Sequence, residues 1–242
     1  MDDLIKPLGD AGVRVSFGTE ISEEVHRQVR AFTSVLEREP ADGIIEWVPS
    51  YTAVTVFYEP WNLSYKEAAE HIEKLLQLAE EETIPEGRTW HLPVCYSSEF
   101  APDLEGISES TGISPDEIVN RHVESLYTVY MLGFTPGFPY LGGMDPGIAV
   151  PRLTSPRSSV PAGSVGIAGE QTGVYSLTTP GGWRIIGKTP VKLYDPEREE
   201  PVFLRAGDKI RFRAVTKKEY EQIEEEINKG AYEVTVEGGR SS

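Results

Sequence analysis

Glycine, proline and aromatic residues crowd the stretch 130–190, and this composition limits the fold more than any other feature of the chain. Glycine permits positive φ, whereas proline fixes φ and removes a hydrogen-bond donor, so the stretch predicts short strands joined by irregular loops. A disordered linker would lack aromatic residues such as Phe134, Phe138, Tyr140, Tyr175 and Trp183. We interpret them as rings placed by ordered loops around a pocket, although aromatic plugs at barrel corners fit the pattern equally well.

Short apolar runs between turn signals dominate the second half of the chain. Strands are expected at 126–132, 164–168, 174–177, 183–186, 191–194 and 209–215. Strands at such spacing predict a barrel or a sandwich. A short helix should begin at the capping box of Ser114 and Glu117, and a last helix at the box of Thr216 and Glu219.

The first half of the chain predicts an α/β arrangement. Strands are expected at 12–17, 44–48 and 53–58, and helices after the N-caps Ser22 and Ser64. A strand at 89–94 either completes a split β-α-β unit of ferredoxin type or begins the next domain. We place the boundary at 85–87. The fold class is therefore α+β, with a small α/β domain at 1–86 and a mainly β domain at 87–242.

The charge of the chain excludes several classes of partner. The formal net charge is −16 over 242 residues, which disfavours nucleic acid and anionic membranes, since both reward clustered Lys and Arg. No run approaches the ~20 apolar residues of a membrane span, and the first residues lack the pattern of a signal peptide. One cysteine, Cys95, forbids an internal disulfide. We expect a cytoplasmic protein.

The sequence argues against two kinds of binding site, a phosphate-binding loop and a metal site. The letters GWRIIGKT at 182–189 match the phosphate-binding loop pattern, but that mechanism needs a following helix, and Pro190 with a strand-like run follows instead. A barrel strand is therefore favoured. The four histidines are scattered without the spacing of metal ligands, so no metal site is expected.

Several polar residues are candidates for chemistry. His122 ends the short helix, where a general acid or base and a buried hydrogen-bonded histidine are about equally plausible. Arg152 and Arg157 each follow a proline, and their guanidinium groups suit a carboxylate as well as a surface ion pair. Gln171 and Thr172 precede Gly173, where they suit an amide ligand or turn chemistry alone.

The order of motifs resembles one known family. The motifs are PLGD at 7–10, GFTPGFPYL at 133–141, PAGSVGIAG at 161–169, QTGVY at 171–175 and PGGWRIIGKTP at 180–190. They resemble the family named for the kinase A inhibitor and for allophanate hydrolase subunit 1, whose members are mostly identified as the B subunit of 5-oxoprolinase. The resemblance covers nearly the whole chain. It implies a small α/β domain followed by a cyclophilin-like β-barrel.

The resemblance also implies an enzyme subunit. It implies ATP-dependent opening of the lactam of 5-oxoproline to L-glutamate, together with subunits A and C and with ATP held by a partner subunit. The catalytic candidates are His122, Arg157, Gln171 and Thr172. The candidates for a substrate or partner pocket are Phe134, Pro136, Phe138, Tyr140, Arg152, Tyr175, Gly181, Gly182 and Trp183.

Two alternatives follow from the same resemblance. Some family members inhibit a sporulation sensor histidine kinase by binding it, and an aromatic, proline-rich groove suits a protein partner. A urea- or allophanate-processing subunit ranks lowest, because such enzymes join this barrel to a carboxylase and a biotin-attachment Met-Lys motif, neither of which is in this sequence.

Overall fold

Alternating apolar residues build an antiparallel sheet in the first part of the chain. The computed structural model describes residues 4–39 and 41–238, and the chain divides between Pro85 and Glu86 into two compact units. The sheet of the first unit contains β1 (Ile5–Leu8), β2 (Gly12–Ser16), β3 (Ile44–Pro49) and β4 (Ala53–Tyr58), in the order β1-β2-β4-β3. Val13, Val15, Val54 and Val56 lie on one face and are buried, as the period of two in a strand requires.

Two amphipathic helices supply the rest of this core. They are α1 (Glu23–Arg38) and α2 (Tyr65–Glu80). Ser22 accepts a hydrogen bond from the N–H of Val25, and Ser64 forms a complete capping box with Glu67, so both residues are N-caps as predicted. Apolar residues at helical spacing bury one face of each helix in this core.

The open question about the strand near residue 89 is decided by its pairing. β5 (Thr89–Cys95) pairs along its whole length with a strand of the second unit. The first unit fills the corresponding edge of its own sheet with β1, which pairs antiparallel with β2. The arrangement is therefore ferredoxin-like, but with the edge strand taken from the beginning of the chain. β1 was not predicted, because a four-residue edge strand that contains Lys6 and Pro7 has little apolar pattern.

The second unit is a closed seven-stranded β-barrel. Its further strands are β6 (Tyr127–Leu132), β7 (Pro139–Gly142), β9 (Ser164–Ala168), β10 (Gln171–Val174), β12 (Arg184–Lys188) and β13 (Lys209–Val215), while β8 (Arg157–Val160) and β11 (Thr179–Gly181) form a separate pair. The order around the barrel is β5-β13-β6-β7-β10-β9-β12, and β12 returns to β5 through Lys188 and Cys95. The predicted architecture of a small α/β domain followed by a barrel is confirmed.

Three helices belong to the barrel unit, and two of them were predicted. They are α3 (Leu104–Thr111), α4 (Pro115–Glu124) and α5 (Lys217–Asn228), while a last short strand, β14 (Val236–Glu237), pairs with β5. Thr216 and Glu219 form the predicted capping box. Ser114 caps α4, but Glu117 binds Arg121 instead of completing its box.

Two predicted strands differ from the structure. The residues 191–194 form no strand, because Pro190 ends the ladder of β12 and Tyr194 makes a single bridge to Val202. The strand predicted at 174–177 lies at Gln171–Val174, since its partner β9 sets the register and Tyr175 already leaves the ladder.

None of the helices within residues 4–39 and 41–238 has the length and hydropathy needed to cross a membrane.

Candidate functional site

The register of β7, β9 and β10 separates the predicted site residues onto two faces of the barrel wall. Thr172 lies opposite Ile167 and Leu141, both of which are buried in the main barrel core. Gly173 lies opposite Gly166 and Tyr140. Because successive residues of a strand point to opposite faces, Thr172 belongs to the inner face and Tyr140 to the outer face. The two groups cannot meet in one pocket.

His122 lies at the centre of the inner group. It stands near the end of α4, is 0% exposed, and stacks on the ring of Phe212 with a centroid distance of 4.6 Å. Its Nδ1 lies 2.8 Å from the hydroxyl of Tyr96, and its Nε2 lies 3.0 Å from Oγ1 of Thr172. The structure thus brings His122 and Thr172 together, although 50 positions separate them in the sequence.

The hydrogen bonds around His122 fix its tautomer. Thr172 has one hydroxyl proton, which it donates to the carbonyl oxygen of Gly166 at 3.0 Å. The hydroxyl must therefore accept from His122, so Nε2 carries the proton and Nδ1 accepts from Tyr96. Both nitrogens of the imidazole ring are therefore engaged in hydrogen bonds with the protein.

Burial keeps this histidine neutral. Loss of solvation lowers the pKa of His122 from its ordinary 6.5 to about 3, since a charged ring without a carboxylate partner is costly in an apolar core. Burial also raises the pKa of the Tyr96 hydroxyl. At neutral pH the pair is a fixed, uncharged hydrogen bond, which is the chemistry of a structural contact.

The outer face carries five rings, which we call the aromatic patch: Phe134, Phe138, Tyr140, Tyr175 and Trp183. Phe138 lies at its centre and meets Tyr175 and Trp183 nearly at right angles, with ring centroids 5.3 and 5.4 Å apart. Phe134 and Tyr140 approach the same ring at 5.6 and 4.9 Å. Edge-to-face contacts of this kind add to the apolar burial that holds the patch together.

Glycines in the barrel wall make room for these rings. A Cβ on Gly173 would stand 2.9 Å from Trp183 and 3.0 Å from Phe138, and one on Gly166 would stand 3.1 Å from Trp183. Gly181 lies against the hydroxyl of Tyr175, where a Cβ would be 2.2 Å away. Close packing against the aromatic patch therefore explains the glycines at these three positions of the motifs. Gly182 has more space, because a Cβ there would meet its nearest neighbour, Pro156, at 3.6 Å.

Three arginines border Trp183. Arg152 is exposed and places its guanidinium carbon 5.7 Å from the centre of the Trp183 ring. Arg157 bonds Asp103 at 2.7 Å and reaches the carbonyl oxygen of Trp183 at 3.4 Å. Arg184 donates from Nε to the carbonyl oxygen of Pro151 at 3.1 Å. Arg157 is thus held by a carboxylate of its own chain, while Arg152 is held against a ring face and stays open to solvent.

The loop 133–138 presents Phe134 and Pro136 at the surface. The N–H of Thr135 donates to the carbonyl oxygen of Gly133 at 2.8 Å, so Phe134 is the central residue of a γ-turn with φ of 66°. Phe134 is the one residue other than glycine with positive φ in the described part of the chain. A second turn, closed by the bond from Phe138 N–H to Thr135 O, contains Pro136 and Gly137. Thr135 is fastened to Ser176 by a side-chain contact of 3.0 Å.

Besides the arginines, the outer face carries the neutral polar groups of Tyr140, Tyr175 and Gln171. Burial raises the pKa of Tyr140, against the opposing effect of Arg152, and likewise raises the pKa of Tyr175. Gln171 stands two residues before Gly173 on the same face of β10 and is partly exposed. Arg152, Tyr140 and Gln171 therefore form the accessible polar part of this face.

The phosphate-loop letters do not form a phosphate-binding loop. Their second half lies on β12, and the residues after Pro190 form no helix, so the chain offers neither a helix N-terminus nor a run of free N–H groups at that point. Over residues 4–39 and 41–238, moreover, no three His, Cys, Asp or Glu side chains come together as metal ligands.

The sequence did not predict Asp103 and Tyr96, which are the partners of Arg157 and His122. Asp103 precedes Arg157 by 54 positions, binds the N–H of Ile185 at 2.6 Å, and stands 8% exposed at the start of α3. Tyr96 lies 26 positions from His122. Neither residue has a local motif around it, so only the folded barrel could show these pairs.

The comparisons with known proteins agree on one family. The family model described as carboxyltransferase domain, subdomain C and D, matches residues 4–204. The chain is 45% identical over 236 residues to the 5-oxoprolinase B subunit of Bacillus subtilis (strain 168), covering 93% of this chain and 98% of the relative.

Two solved structures share the fold. The crystal structure of TTHA0988 is 38% identical with a TM-score of 0.75, over 84% of this chain and 40% of that longer chain. The urea carboxylase of Kluyveromyces lactis is 19% identical with a TM-score of 0.81, over 96% of this chain and 23% of its own length. The second likeness is one of fold alone.

Proposed function

We propose that this chain is the B subunit of an ATP-dependent 5-oxoprolinase. The chain belongs to the family of the 5-oxoprolinase B subunits. With subunits A and C it would open the lactam ring of 5-oxoproline and release L-glutamate. The observation that carries the proposal is the likeness to the B subunit of Bacillus subtilis, which extends over nearly the whole of both chains.

The outer face suits the chemistry of this substrate. 5-Oxoproline bears a carboxylate on a small lactam ring, and a solvent-open guanidinium such as that of Arg152 can bind a carboxylate through two parallel hydrogen bonds. The hydroxyl of Tyr140 is protonated at neutral pH, as burial only raises its pKa further, so it can donate to an oxygen. The amide of Gln171 both donates and accepts, as the N–H and C=O of a lactam require. We assign substrate binding to these three residues.

His122, Thr172 and Arg157 receive a positioning role in this proposal. The histidine and the threonine satisfy each other inside the barrel, and Arg157 is bound to Asp103 and to the backbone of Trp183. They would hold β10 and β12 in place beneath the aromatic patch. Their direct participation in catalysis stays a prediction of the resemblance.

ATP is assigned to a partner subunit. The letters at 182–189 were the one nucleotide motif of the sequence, and their place on a strand removes the amide cradle that such a motif supplies. The isolated chain is therefore expected to show no turnover of 5-oxoproline.

A matched pair of arginine variants tests the assigned binding site. In a mixture with subunits A and C and ATP, Arg152→Ala should lower kcat/KM for 5-oxoproline roughly 10- to 100-fold, which corresponds to the loss of one charge-assisted hydrogen-bond pair. Arg27→Ala removes an exposed arginine from α1 and should leave kcat/KM unchanged. Equal turnover by wild type and Arg152→Ala would remove the assignment.

A further inference from the structure

Phe134 has an unfavourable backbone conformation, and its side chain is largely exposed. Its φ of 66° places a bulky side chain in the left-handed region, and its ring is 61% exposed. Such strain costs of the order of 1–3 kcal/mol and persists where the surroundings impose it, often at functional sites. A glycine would fit this turn without strain. The contact with Phe138 offsets part of this strain, but most of the ring is exposed, so burial against another molecule would add stabilisation that the folded chain does not supply.

The contacts of the loop also restrict the position of the Phe134 ring. Its edge-to-face contact with Phe138 and the two turns of the loop restrict its position, and Thr135 is bonded to Ser176. A rigid, exposed aromatic side chain loses little conformational entropy when it is buried by another molecule. Aromatic side chains of this kind dominate the binding energy of protein interfaces.

The sequence stretch that contains Phe134 differs in the sign of its net charge from the rest of the chain. The stretch 134–194 contains five basic and two acidic residues, a net charge of +3, whereas the chain as a whole carries −16 and its remaining residues carry −19. Of these basic residues, Arg152 lies open to solvent over the ring of Trp183, which contacts Phe138, and Arg184 follows Trp183 in the chain. The charge of Arg157 is compensated by its ion pair with Asp103. Such a patch on an acidic protein attracts a surface with the opposite charge.

We propose that Phe134 is an anchor which docks into an apolar pocket rimmed by carboxylates on a partner subunit of the complex. The inference rests on the proposed function, since it takes the partner from the assembly in which a B subunit works. In TTHA0988 the part that matches this chain is 40% of the whole chain, so in that protein further polypeptide accompanies the same fold. Docking beside Arg152 would let the partner close over the substrate-binding residues.

The test is a binding measurement with a matched pair of variants. Phe134→Gly removes the ring but keeps a residue suited to positive φ, so its melting temperature should equal that of the wild type or exceed it. Its Kd for whichever of subunits A and C binds the wild-type chain should rise at least tenfold. The control, Trp61→Ala, removes an aromatic side chain that is 80% exposed on the first unit, and its Kd should stay within twofold of wild type. Binding of the wild type should weaken as salt rises.

Three results would overturn the proposal: wild-type affinity in Phe134→Gly, an equal loss in Trp61→Ala, or failure of the wild type to bind either subunit. Turnover measured on the same mixtures separates the two claims. If the wild-type mixture is active while Phe134→Gly binds normally, the anchor is wrong and the enzymatic role stands. If the wild type binds but is inactive, the enzymatic role is wrong and the Kd values alone decide on the anchor.

Discussion

At the scale of single residues, His122 ties stability to pH. Its pKa is about 3 in the folded chain and near 6.5 when the chain unfolds. The unfolded state therefore binds one more proton between these values, and stability is complete above pH 6.5 and falls as the pH drops towards 3. A shift of this size corresponds to a few kcal/mol in the free energy of unfolding.

Two variants separate the charge of His122 from its hydrogen bonds. His122→Gln removes the titrating ring, so the barrel should be less stable than wild type at pH 7.5, yet should lose less of its free energy of unfolding between pH 7.5 and pH 5. Thr172→Val keeps the ring and leaves a buried N–H without its acceptor, which should cost about 1–3 kcal/mol at both pH values. Chemical denaturation at pH 7.5 and at pH 5 measures the free energy of unfolding of wild type and of both variants. Identical pH dependence in His122→Gln and wild type would contradict the account.

The residue types of the site were predictable, but their grouping was not. Aromatic residues among glycines indicated that these rings cluster, either around a pocket or as plugs of the barrel, because that composition has a local physical meaning. The division of Thr172 and Tyr140 between two faces depends on the register of β10 against β7 and β9. A shift of one residue would exchange the faces, and no local pattern in a glycine-rich strand fixes that shift.

At the scale of elements, the glycines of the barrel wall support the aromatic patch. Gly173→Ala would place a methyl group within 3.0 Å of Phe138, Trp183 and the backbone oxygen of Pro139. Because rings and strand would both have to move, we expect a loss of about 1–3 kcal/mol in stability and a changed near-ultraviolet circular dichroism spectrum. The control is Gly106→Ala in α3, where a Cβ meets nothing within 4 Å and a gain of about 0.5–1 kcal/mol is expected. A stable Gly173→Ala variant with an unchanged spectrum would contradict this packing.

The elements with local signals were predicted well. The side chain of each N-cap residue, Ser22, Ser64 and Thr216, accepts a hydrogen bond from the backbone N–H three residues later. A few neighbouring residues therefore suffice to define these caps. The strands β1, β7, β8 and β11 have four residues or fewer and exist because a partner strand pairs with them. Their sequences alone carry too little pattern to be recognised.

At the scale of the whole molecule, each of the two units has a main hydrophobic core of its own. The cluster of the first unit and the main barrel cluster share no residue. The stretch 134–194, which contains the rings of the aromatic patch, has a net charge of +3 within a chain of net charge −16. These features are compatible with the proposed role as one subunit of a larger enzyme.

The most direct test of the central claim is glutamate formation from 5-oxoproline by the purified chain in mixtures with subunits A and C. We predict turnover when all three proteins and ATP are present, and none when this chain, either partner or ATP is omitted. Turnover by the chain alone would contradict the assignment of ATP to a partner. No turnover from a complete mixture of folded proteins would contradict the enzymatic role and turn attention to inhibition of a sensor histidine kinase.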